Sequence, residues 1–333
     1  MRIAVDAMGG DYAPAEIVKG SVNIARANAE AEIILVGDEA AVREELAHNG
    51  EIPSNITVKH APERIEMNDH PAQAVRKKRL SSLVVAGLMV SSGEADATFS
   101  AGNTGAAMAV AAIDIGLVAG FNRPAIATQI PTIRGHALLL DAGANVDVSP
   151  QQILQFGALG ALYAEKVLGV VRPRVGLLNI GGEAGKGNEL CRTVYPMLEA
   201  TGLNFVGNIE SKDLFEHAAD VIVCDGFAGN LVLKTTEAVS EMILDVLKDK
   251  LSESGASEEI NLILKDMIHT IAVRLDYAEN GGAPLLGVNG VSIIGHGRSK
   301  ARAIETGILI AIQAAGSGYT AALKAAVVAG DIQ

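Results

Sequence analysis

The fold is decided by one stretch, Val221-Ile-Val-Cys-Asp225-Gly-Phe-Ala-Gly-Asn230-Leu-Val-Leu-Lys234. A short apolar run ends abruptly in Asp, Gly and Asn, and helical periodicity then begins, which predicts a strand, a tight loop and a helix. A run of Val and Ile is typical of a parallel strand that is covered on both faces. Gly226 and Gly229 allow the backbone to turn sharply and to approach a ligand closely. We expect the helix to direct its free N–H groups at this loop, where they favour an anion.

Five further apolar runs end in polar loops that contain glycine. These loops are Asp6 to Asp11, Ser100 to Gly105, Asp141 to Asn145, Asn179 to Glu189 and Gly295 to Ser299. In parallel α/β sheets the loops after the carboxyl ends of the strands build the ligand crevice. We therefore expect the six loops to form one site. The alternative for any single loop is that its Asn and Asp side chains only cap helices and shape turns.

Strand, loop and helix patterns alternate over most of the chain, which predicts a doubly wound, mostly parallel α/β sheet. The predicted strands are residues 3–7, 32–36, 56–60, 95–100, 125–130, 137–141, 174–179, 221–223, 281–287 and 291–294. The predicted helices are residues 17–25, 39–47, 81–92 and 150–168, one that opens at Asn103 and one after Ser299. Asp38 is a good N-cap for the helix at 39–47.

A helical hairpin is predicted at about residues 232–272. Apolar residues recur at helical spacing from Val239 to Leu251 and again from Ile260 to Ile271, on either side of the polar stretch Ser252 to Ser257. The length of this hairpin indicates an insertion that projects from a single α/β domain, residues 1–333. Hairpins of this kind often build dimer contacts or lids in α/β enzymes.

The composition argues against several classes of protein. The 333 residues are 49% hydrophobic, which supplies enough apolar surface for a core without metals or disulfides. A net charge of -12 and an aromatic content of 3% disfavour nucleic acid as a partner. Two cysteines, Cys191 and Cys224, give neither a disulfide framework nor a zinc pattern. The first strand begins at once, and no apolar run approaches the roughly 20 residues of a membrane span, so we expect a cytosolic protein.

The loops lack the motifs of several enzyme mechanisms. The chain contains no Gly-x-Ser-x-Gly elbow, no Walker A loop and no Gly-x-Gly-x-x-Gly directly after the first strand. Cys224 belongs to an apolar strand, where a small buried hydrophobe is expected rather than a nucleophile. A site of amides, backbone N–H groups and lysines suits a substrate that is itself the nucleophile, such as inorganic phosphate. Its electrophile is then an activated acyl group, whose developing oxyanion Asn or Lys stabilises.

Six motifs together resemble one family. They are Val5-Asp-Ala-Met-Gly-Gly-Asp11 with Ala13-Pro14, Ser100-Ala-Gly-Asn-Thr-Gly105, Leu140-Asp-Ala-Gly-Ala-Asn145, Lys186-Gly-Asn-Glu189, Asp225-Gly-Phe-Ala-Gly-Asn230 and Gly281-Gly-Ala-Pro-Leu-Leu-Gly287. The combination is similar to the bacterial phosphate acyltransferases of phospholipid synthesis, from Met1 to about residue 315. This resemblance implies a fold like that of phosphotransacetylases and isocitrate dehydrogenase, and a homodimer.

The resemblance also implies an activity. Members of the family make acyl phosphate from acyl-acyl carrier protein (acyl-ACP) and inorganic phosphate, for a membrane glycerol-3-phosphate acyltransferase to use. They need no cofactor and no metal, and the implied location is the cytoplasm, with peripheral membrane contact as an alternative. Lys186 and Asn230 match the catalytic positions, and we assign Lys186 to the phosphate or the acyl carbonyl and Asn230 to positioning. The expected substrate-binding residues are Asp6, Gly9, Gly10, Asn103, Thr104, Asp141, Asn145, Asp225, Lys234 and His296.

Two positions depart from the family. Its first loop commonly has His after Gly-Gly-Asp, whereas this chain has Tyr12, so a general-base role for that His is not carried over. The tip of its hairpin tends to be apolar where it is associated with membrane contact. The corresponding stretch here, Ser252 to Glu259, is polar and acidic.

The one concentrated basic run is Arg76-Lys77-Lys78-Arg79. It is either a solvated helix face or a docking surface for the acidic carrier protein, and scattered cations such as Lys248, Lys250 and Arg302 are alternatives. Two rival functions stay open as well. One is an enzyme of the same fold that acts on acetyl-coenzyme A or oxidises a hydroxy acid with a nicotinamide. The other is a non-catalytic module that binds phosphate or acyl chains.

Overall fold

The computed structural model describes residues 1–253, 257–275 and 281–330, and within them one sheet of eleven strands runs through the molecule. The strands are β1 Arg2–Asp6, β2 Glu32–Gly37, β3 Ile56–His60, β4 Ala97–Ser100, β5 Ala125–Thr132, β6 Gly135–Leu140, β7 Arg174–Leu178, β8 Asn204–Ile209, β9 Val221–Val223, β10 Ala283–Leu286 and β11 Val291–Ile294. The helices are α1 Ala15–Ala27, α2 Glu39–His48, α3 Pro71–Lys77, α4 Ser82–Ser92, α5 Thr104–Val110, α6 Pro150–Lys166, α7 Glu189–Glu199, α8 Ser211–Phe215, α9 Gly226–Glu253, α10 Glu258–Leu275, α11 Ala301–Gly316 and α12 Tyr319–Ala329. A π-helical segment, Ala111–Gly116, continues α5.

The strands run in two directions. Their order across the sheet is β3-β2-β1-β4-β11-β10-β5-β6-β9-β7-β8. The first five strands in this order are parallel to one another, and so are the last four. Between them, β11–β10, β10–β5 and β5–β6 are antiparallel pairs, so the last four strands point opposite to the first five. The predicted doubly wound, mostly parallel sheet is confirmed.

Helices cover both faces of the sheet because alternate residues of a strand point to opposite faces. Ile3 and Val5 of β1 pack in the same cluster as Ile17 of α1 and Ile304 of α11. Ala4, between them, packs instead with residues of α4. In the other half of the sheet, Leu138 and Leu140 of β6 lie in the cluster that contains α6, whereas Leu139 lies in a cluster with Leu214 of α8. Strands covered on both faces explain the continuous apolar runs of the sequence.

Local sequence signals set several helix starts. The Asp38 side chain accepts a hydrogen bond from the Ala41 N–H at 2.9 Å, as predicted for an N-cap. Before α6, Ser149 and Gln152 form a capping box and Pro150 occupies the first turn. The side chains of Asp38, Ser149 and Gln152 each accept a hydrogen bond from an N–H group that the start of a helix leaves without a partner.

The predicted helical hairpin is formed by α9 and α10, which pack against each other. Its first helix begins at Gly226, earlier than the predicted 232, because the loop after β9 runs directly into helix. Residues 254–256 of the polar tip lie outside the described residues. Both helices leave large apolar side chains exposed, among them Met242, Val246, Ile260, Ile263 and Met267.

No single helix in the described ranges is both long and apolar enough to cross a bilayer. The helices α11 and α12 reach that length and composition only as a pair, and the chain bends by 48° between them.

Candidate functional site

The six predicted loops form two groups, which follow strands of opposite direction on either side of β10 and β5. The first loop group follows β1, β4 and β11 and comprises residues 6–11, 100–105 and 295–299. The second loop group follows β6, β7 and β9 and comprises residues 141–145, 179–188 and 225–230. Three antiparallel pairings reverse the strands between β11 and β6, and the short strand β10 pairs through Pro284 with Ile293 of β11 and through Leu285 with Ile126 of β5. The expectation that all six loops form one site stays a prediction.

The first loop group is organised around the buried carboxylate of Asp6. Its Oδ2 accepts a hydrogen bond from the Ser100 hydroxyl at 2.7 Å, and its Oδ1 accepts one from the Met8 N–H at 3.3 Å. Burial raises the pKa of Asp6, although the hydrogen bonds from Ser82, Ser100 and the backbone favour the carboxylate. A Cβ on Gly9 would clash with this carboxylate, and Gly10 has a φ of +114°. The two glycines therefore close the loop around Asp6.

Asn103 links the first loop group to the segment before α3. Its Oδ1 caps α5 by accepting a hydrogen bond from the Ala106 N–H at 3.0 Å. Its Nδ2 donates to the carbonyl oxygens of Met67 at 3.0 Å and Asp69 at 3.1 Å. Asn103 is buried, whereas Thr104 is an exposed residue in the first turn of α5. Both polar ends of the Asn103 amide are thus used inside the protein.

His296 and Tyr12, which directly follows residues 6–11, are among the exposed side chains at the first loop group. His296 Nδ1 accepts a hydrogen bond from the Arg298 N–H at 3.2 Å, and the ring faces solvent. Tyr12, which stands where the family commonly has His, is also exposed. Their roles toward a substrate stay predictions.

The second loop group is organised around Asp141, which is 0% exposed. Its carboxylate accepts hydrogen bonds from the N–H groups of Ile126 at 3.1 Å, Gly143 at 3.2 Å, Ala144 at 3.0 Å and Asn145 at 2.6 Å, and from the Asn145 side chain at 2.8 Å. Burial raises the pKa of Asp141 and these donors oppose that effect. Asp141 therefore holds the loop together from within.

Asn145 is the last residue of the same loop, and its side chain is buried. Its Nδ2 donates to the carbonyl oxygen of Pro124 at 2.9 Å and to Asp141. Its Oδ1 is buried and has no hydrogen-bond partner among the described residues. Its backbone carbonyl accepts a hydrogen bond from the Gly226 N–H at 2.7 Å, which ties this loop to the start of α9.

The glycines of the 225–230 loop permit close contact with backbone rather than with a ligand. A Cβ on Gly226 would lie 2.7 Å from the Asn145 carbonyl oxygen, and one on Gly229 would overlap the Asp141 carbonyl oxygen. Asp225 caps α9 by accepting a hydrogen bond from the Ala228 N–H at 2.7 Å. These glycines do permit a close approach of the backbone, but the neighbouring group is the backbone of the 141–145 loop and not the expected ligand.

Asn230 is exposed in the first turns of α9 and lies against Gly143, whose Cβ would be 3.4 Å from the Asn230 Cβ. No hydrogen bond to its amide is made by any described residue, so both polar ends are available to a ligand. One turn further on, Lys234 is also exposed and pairs with Glu237 at 2.8 Å. Asn230 is therefore the more accessible of the two to a ligand at this loop.

Lys186 lies in the loop after β7, and the buried side chain of Asn179 supports this loop. Asn179 Nδ2 donates to the Lys186 carbonyl oxygen at 3.1 Å, and the Lys186 N–H donates to the Glu183 carbonyl oxygen at 3.0 Å. The Lys186 ammonium group is exposed and forms no ion pair within the described part of the chain. The strand β7 lies next to β9, so the structure brings the predicted catalytic pair, Lys186 and Asn230, to the same edge of the sheet.

The thiol of Cys224 and the described acidic side chains near it do not provide a nucleophile or a metal site. Cys224 is buried, as predicted, and burial raises the pKa of its thiol well above the ordinary value. Among the described residues, no three His, Cys, Asp or Glu side chains are grouped so as to hold a metal ion. What the sequence analysis missed is an apolar cavity beside α9. The apolar residues of α9 were interpreted only as part of a helical hairpin. Those that line the cavity begin at Leu231, directly after Asn230.

Comparison with known proteins shows the family of the chain. A family model described as fatty acid synthesis protein matches residues 1–322. The chain belongs to this family. A curated relative from Desulfitobacterium hafniense, named phosphate acyltransferase, is 49% identical over 325 residues, which cover 97% of each chain. The predicted resemblance to the phosphate acyltransferases is therefore confirmed.

Solved structures share the architecture. A phosphotransacetylase from Streptococcus pyogenes matches with a TM-score of 0.62 at 15% identity, covering 95% of this chain and 94% of that one. A branched-chain phosphotransacylase from Enterococcus faecalis matches with a TM-score of 0.59 at 13% identity, covering 95% and 99%. At these identities the likeness concerns the fold alone, and it confirms the predicted phosphotransacetylase-like fold.

Proposed function

We propose that this protein transfers a fatty acyl group from acyl-ACP to inorganic phosphate and releases acyl phosphate for phospholipid synthesis. The observation that carries this proposal is the 49% identity, over 97% of both chains, to a relative named phosphate acyltransferase. The second loop group supports it, because an exposed lysine lies there near the start of a 28-residue helix, which carries the Asn230 amide that no described residue binds.

In this proposal the phosphate binds between Lys186 and the start of α9. The lysine supplies a positive charge, and a helix N-terminus favours an anion. The loop needs no rearrangement to bind it, since Asp141 and Asn179 already hold the backbone in place. Binding a phosphate in a fixed orientation accounts for much of the rate enhancement in such a reaction.

The chemical step then needs little proton transfer. A phosphate oxygen attacks the thioester carbonyl carbon and forms the new C–O bond, and the C–S bond breaks. The carrier thiolate leaves and receives the proton of hydrogen phosphate. The Asn230 amide positions the carbonyl group, and Lys186 stabilises the charge that develops on its oxygen. Asp6 and Asp141 have no part in this step because their oxygens are occupied by hydrogen bonds within the protein.

The carrier protein docks through exposed cations. Half of the predicted basic run is already used within the protein: Lys78 forms an ion pair with Asp69 at 2.5 Å, and Arg79 forms one with Asp114 at 2.6 Å. Arg76 and Lys77 form no ion pair with the described residues. We assign the docking contact to these two residues, which lie on α3 where it packs against α5, since exposed cations raise the association rate of an acidic partner.

We further propose a homodimer in the cytoplasm that delivers its product to a membrane glycerol-3-phosphate acyltransferase. The exposed apolar side chains of Met242 and Val246 on α9 and of Ile263 and Met267 on α10 support a contact with a second copy. We also assign residues 1–333 to a single domain with the hairpin, about 232–272, as an insertion. The continuous sheet supports that assignment.

One assay tests the function. The purified chain is mixed with a defined acyl-ACP, with and without phosphate, and acyl phosphate is trapped with hydroxylamine. We expect acyl phosphate to form only when phosphate is present. Turnover of acetyl-coenzyme A but not of acyl-ACP would instead assign the chain to the phosphotransacetylases, and reduction of a nicotinamide would assign it to the dehydrogenases. Binding of acyl-ACP without turnover would instead identify the chain as a non-catalytic binding module.

A further inference from the structure

A cavity of about 680 Å³ runs along α9 on the side of the β5–β6 turn. Its walls are the turn itself, α8 and one face of α9, with Ile133, Phe215, Val239 and Ile243 among the lining side chains. The volume lies within the range of roughly 300–1,000 Å³ typical of ligand sites. The cavity therefore has the size of a binding site rather than of a packing defect.

The lining has the chemistry of a site for an aliphatic chain. Its residues are apolar or carry a hydroxyl group, and none of those described is charged. The Thr236 hydroxyl donates to the Val232 carbonyl oxygen at 2.9 Å, and the Thr132 hydroxyl pairs with His217 at 3.0 Å, so these two polar atoms already have partners. The hydroxyl groups of Ser211, Thr235 and Ser240 also line the groove, and they are too few to pair with the polar groups of a nucleotide or sugar, whereas a hydrocarbon has none to satisfy.

The cavity begins at the candidate catalytic loop. Leu231 lines one end and directly follows Asn230 in the chain, and Ile243 lines the other end. Twelve residues of helix separate them, a distance of about 18 Å at 1.5 Å per residue. One leaflet of a bilayer's hydrocarbon core, about 15 Å thick, gives the length of a fatty acyl chain. The groove is therefore long enough for such a chain.

We propose that this groove binds the fatty acyl chain of the substrate, with the carbonyl end at Leu231 and the methyl end toward Val239 and Ile243. The inference rests on the proposed function, since it places the thioester next to Asn230. It also predicts a chain-length preference. Each methylene buried in the groove strengthens binding about fourfold, until the chain reaches the far end.

The test uses a fluorescent fatty acid, 11-(dansylamino)undecanoic acid, in the absence of phosphate and acyl-ACP. Val239→Trp fills the far half of the groove, and Ala238→Trp adds the same bulk at the neighbouring exposed position, which does not line the groove. We expect one probe per chain, binding that is at least tenfold weaker in Val239→Trp, and a change of no more than twofold in Ala238→Trp. Thermal melts and molar mass are measured for every variant.

If Val239→Trp does not fold, Ile243→Trp tests the same end of the groove. Probe binding as tight as in the wild type in a folded groove variant overturns the proposal. So does a groove variant that changes the molar mass but not the probe affinity, since the groove would then belong to the contact between two copies. In the acyl-transfer assay, Val239→Trp is expected to lose activity with palmitoyl-ACP and keep it with hexanoyl-ACP. A wild-type chain that binds the probe but transfers no acyl group refutes the proposed function and leaves the groove as a fatty-acid site.

Discussion

Replacing Asp141 with Ala is expected to destabilise the protein far more than replacing Asp225, although the two residues end neighbouring strands of the same loop group. The Asp141 carboxylate is the acceptor for four backbone N–H groups and for the Asn145 side chain, and it is fully buried. The Asp225 carboxylate accepts one hydrogen bond, from the Ala228 N–H.

The magnitude follows from counting donors. Alanine removes the acceptor of five donors, but water reaches the part-buried N–H groups of Gly143 and Ala144, and the Asn145 side chain keeps the Pro124 carbonyl oxygen. The buried N–H groups of Ile126 and Asn145 are left without an acceptor. Each unsatisfied donor costs roughly 1–3 kcal/mol, and their coupling makes the sum less than additive, so we expect a loss of about 2–5 kcal/mol. Removing the Asp225 cap is expected to cost about 1 kcal/mol. Asp141→Asn keeps one acceptor oxygen and is expected to lie between the two.

The assay is equilibrium unfolding in urea followed by far-UV circular dichroism, with the free energy of unfolding taken from the shift of the midpoint. If Asp141→Ala loses no more stability than Asp225→Ala, the carboxylate does not hold the loop. Asp141 would then be better explained by the sequence-based expectation of a substrate contact.

The remaining predictions concern turnover and docking. Lys186→Ala and Asn230→Ala are each expected to lower turnover by about a hundredfold to a thousandfold while leaving thermal stability unchanged, because both side chains are exposed. Near-normal activity in both folded variants would contradict their assignment. Arg76→Glu combined with Lys77→Glu is expected to raise the apparent KM for acyl-ACP severalfold at low salt and much less at high salt, where screening removes the attraction. The KM for phosphate serves as the internal control, and an unchanged response to acyl-ACP at both salt concentrations would remove this pair from the docking surface.

Much of the fold could be predicted from the sequence because the strands are buried on both faces. Runs such as Leu138 to Leu140 are continuous and apolar, and they were located to within a residue or two. The segment from α7 to α8 was missed for physical reasons. The edge strand β8 buries only part of its length, so it shows little periodicity, and α7 contains Pro196, which ordinarily indicates a break.

The relative direction of the two halves of the sheet was not predicted from the sequence. Parallel neighbours need a crossover of about a dozen residues, whereas the predicted strands at 125–130 and 137–141 are separated by six. That spacing already required an antiparallel hairpin, which reverses every later strand of the second half. Local periodicity carries no information on direction, and the connection length was the signal that would have separated the two loop groups.

The two loop groups are built alike, and the difference between them argues for where the reaction occurs. Each contains a buried Asp at the end of a strand that holds its own loop, and each has a capping side chain that starts a helix, Asn103 in the first and Asp225 in the second. In both groups, therefore, most of the polar side chains that suggested a site form hydrogen bonds with the protein's own backbone. Both groups expose a cation, Arg298 in the first and Lys186 in the second. What distinguishes the second group is that Lys186 and the Asn230 amide, which no described residue binds, lie next to an apolar groove. A site that must bind phosphate and an acyl chain together needs both features, so the acyl transfer is assigned to this edge of the sheet.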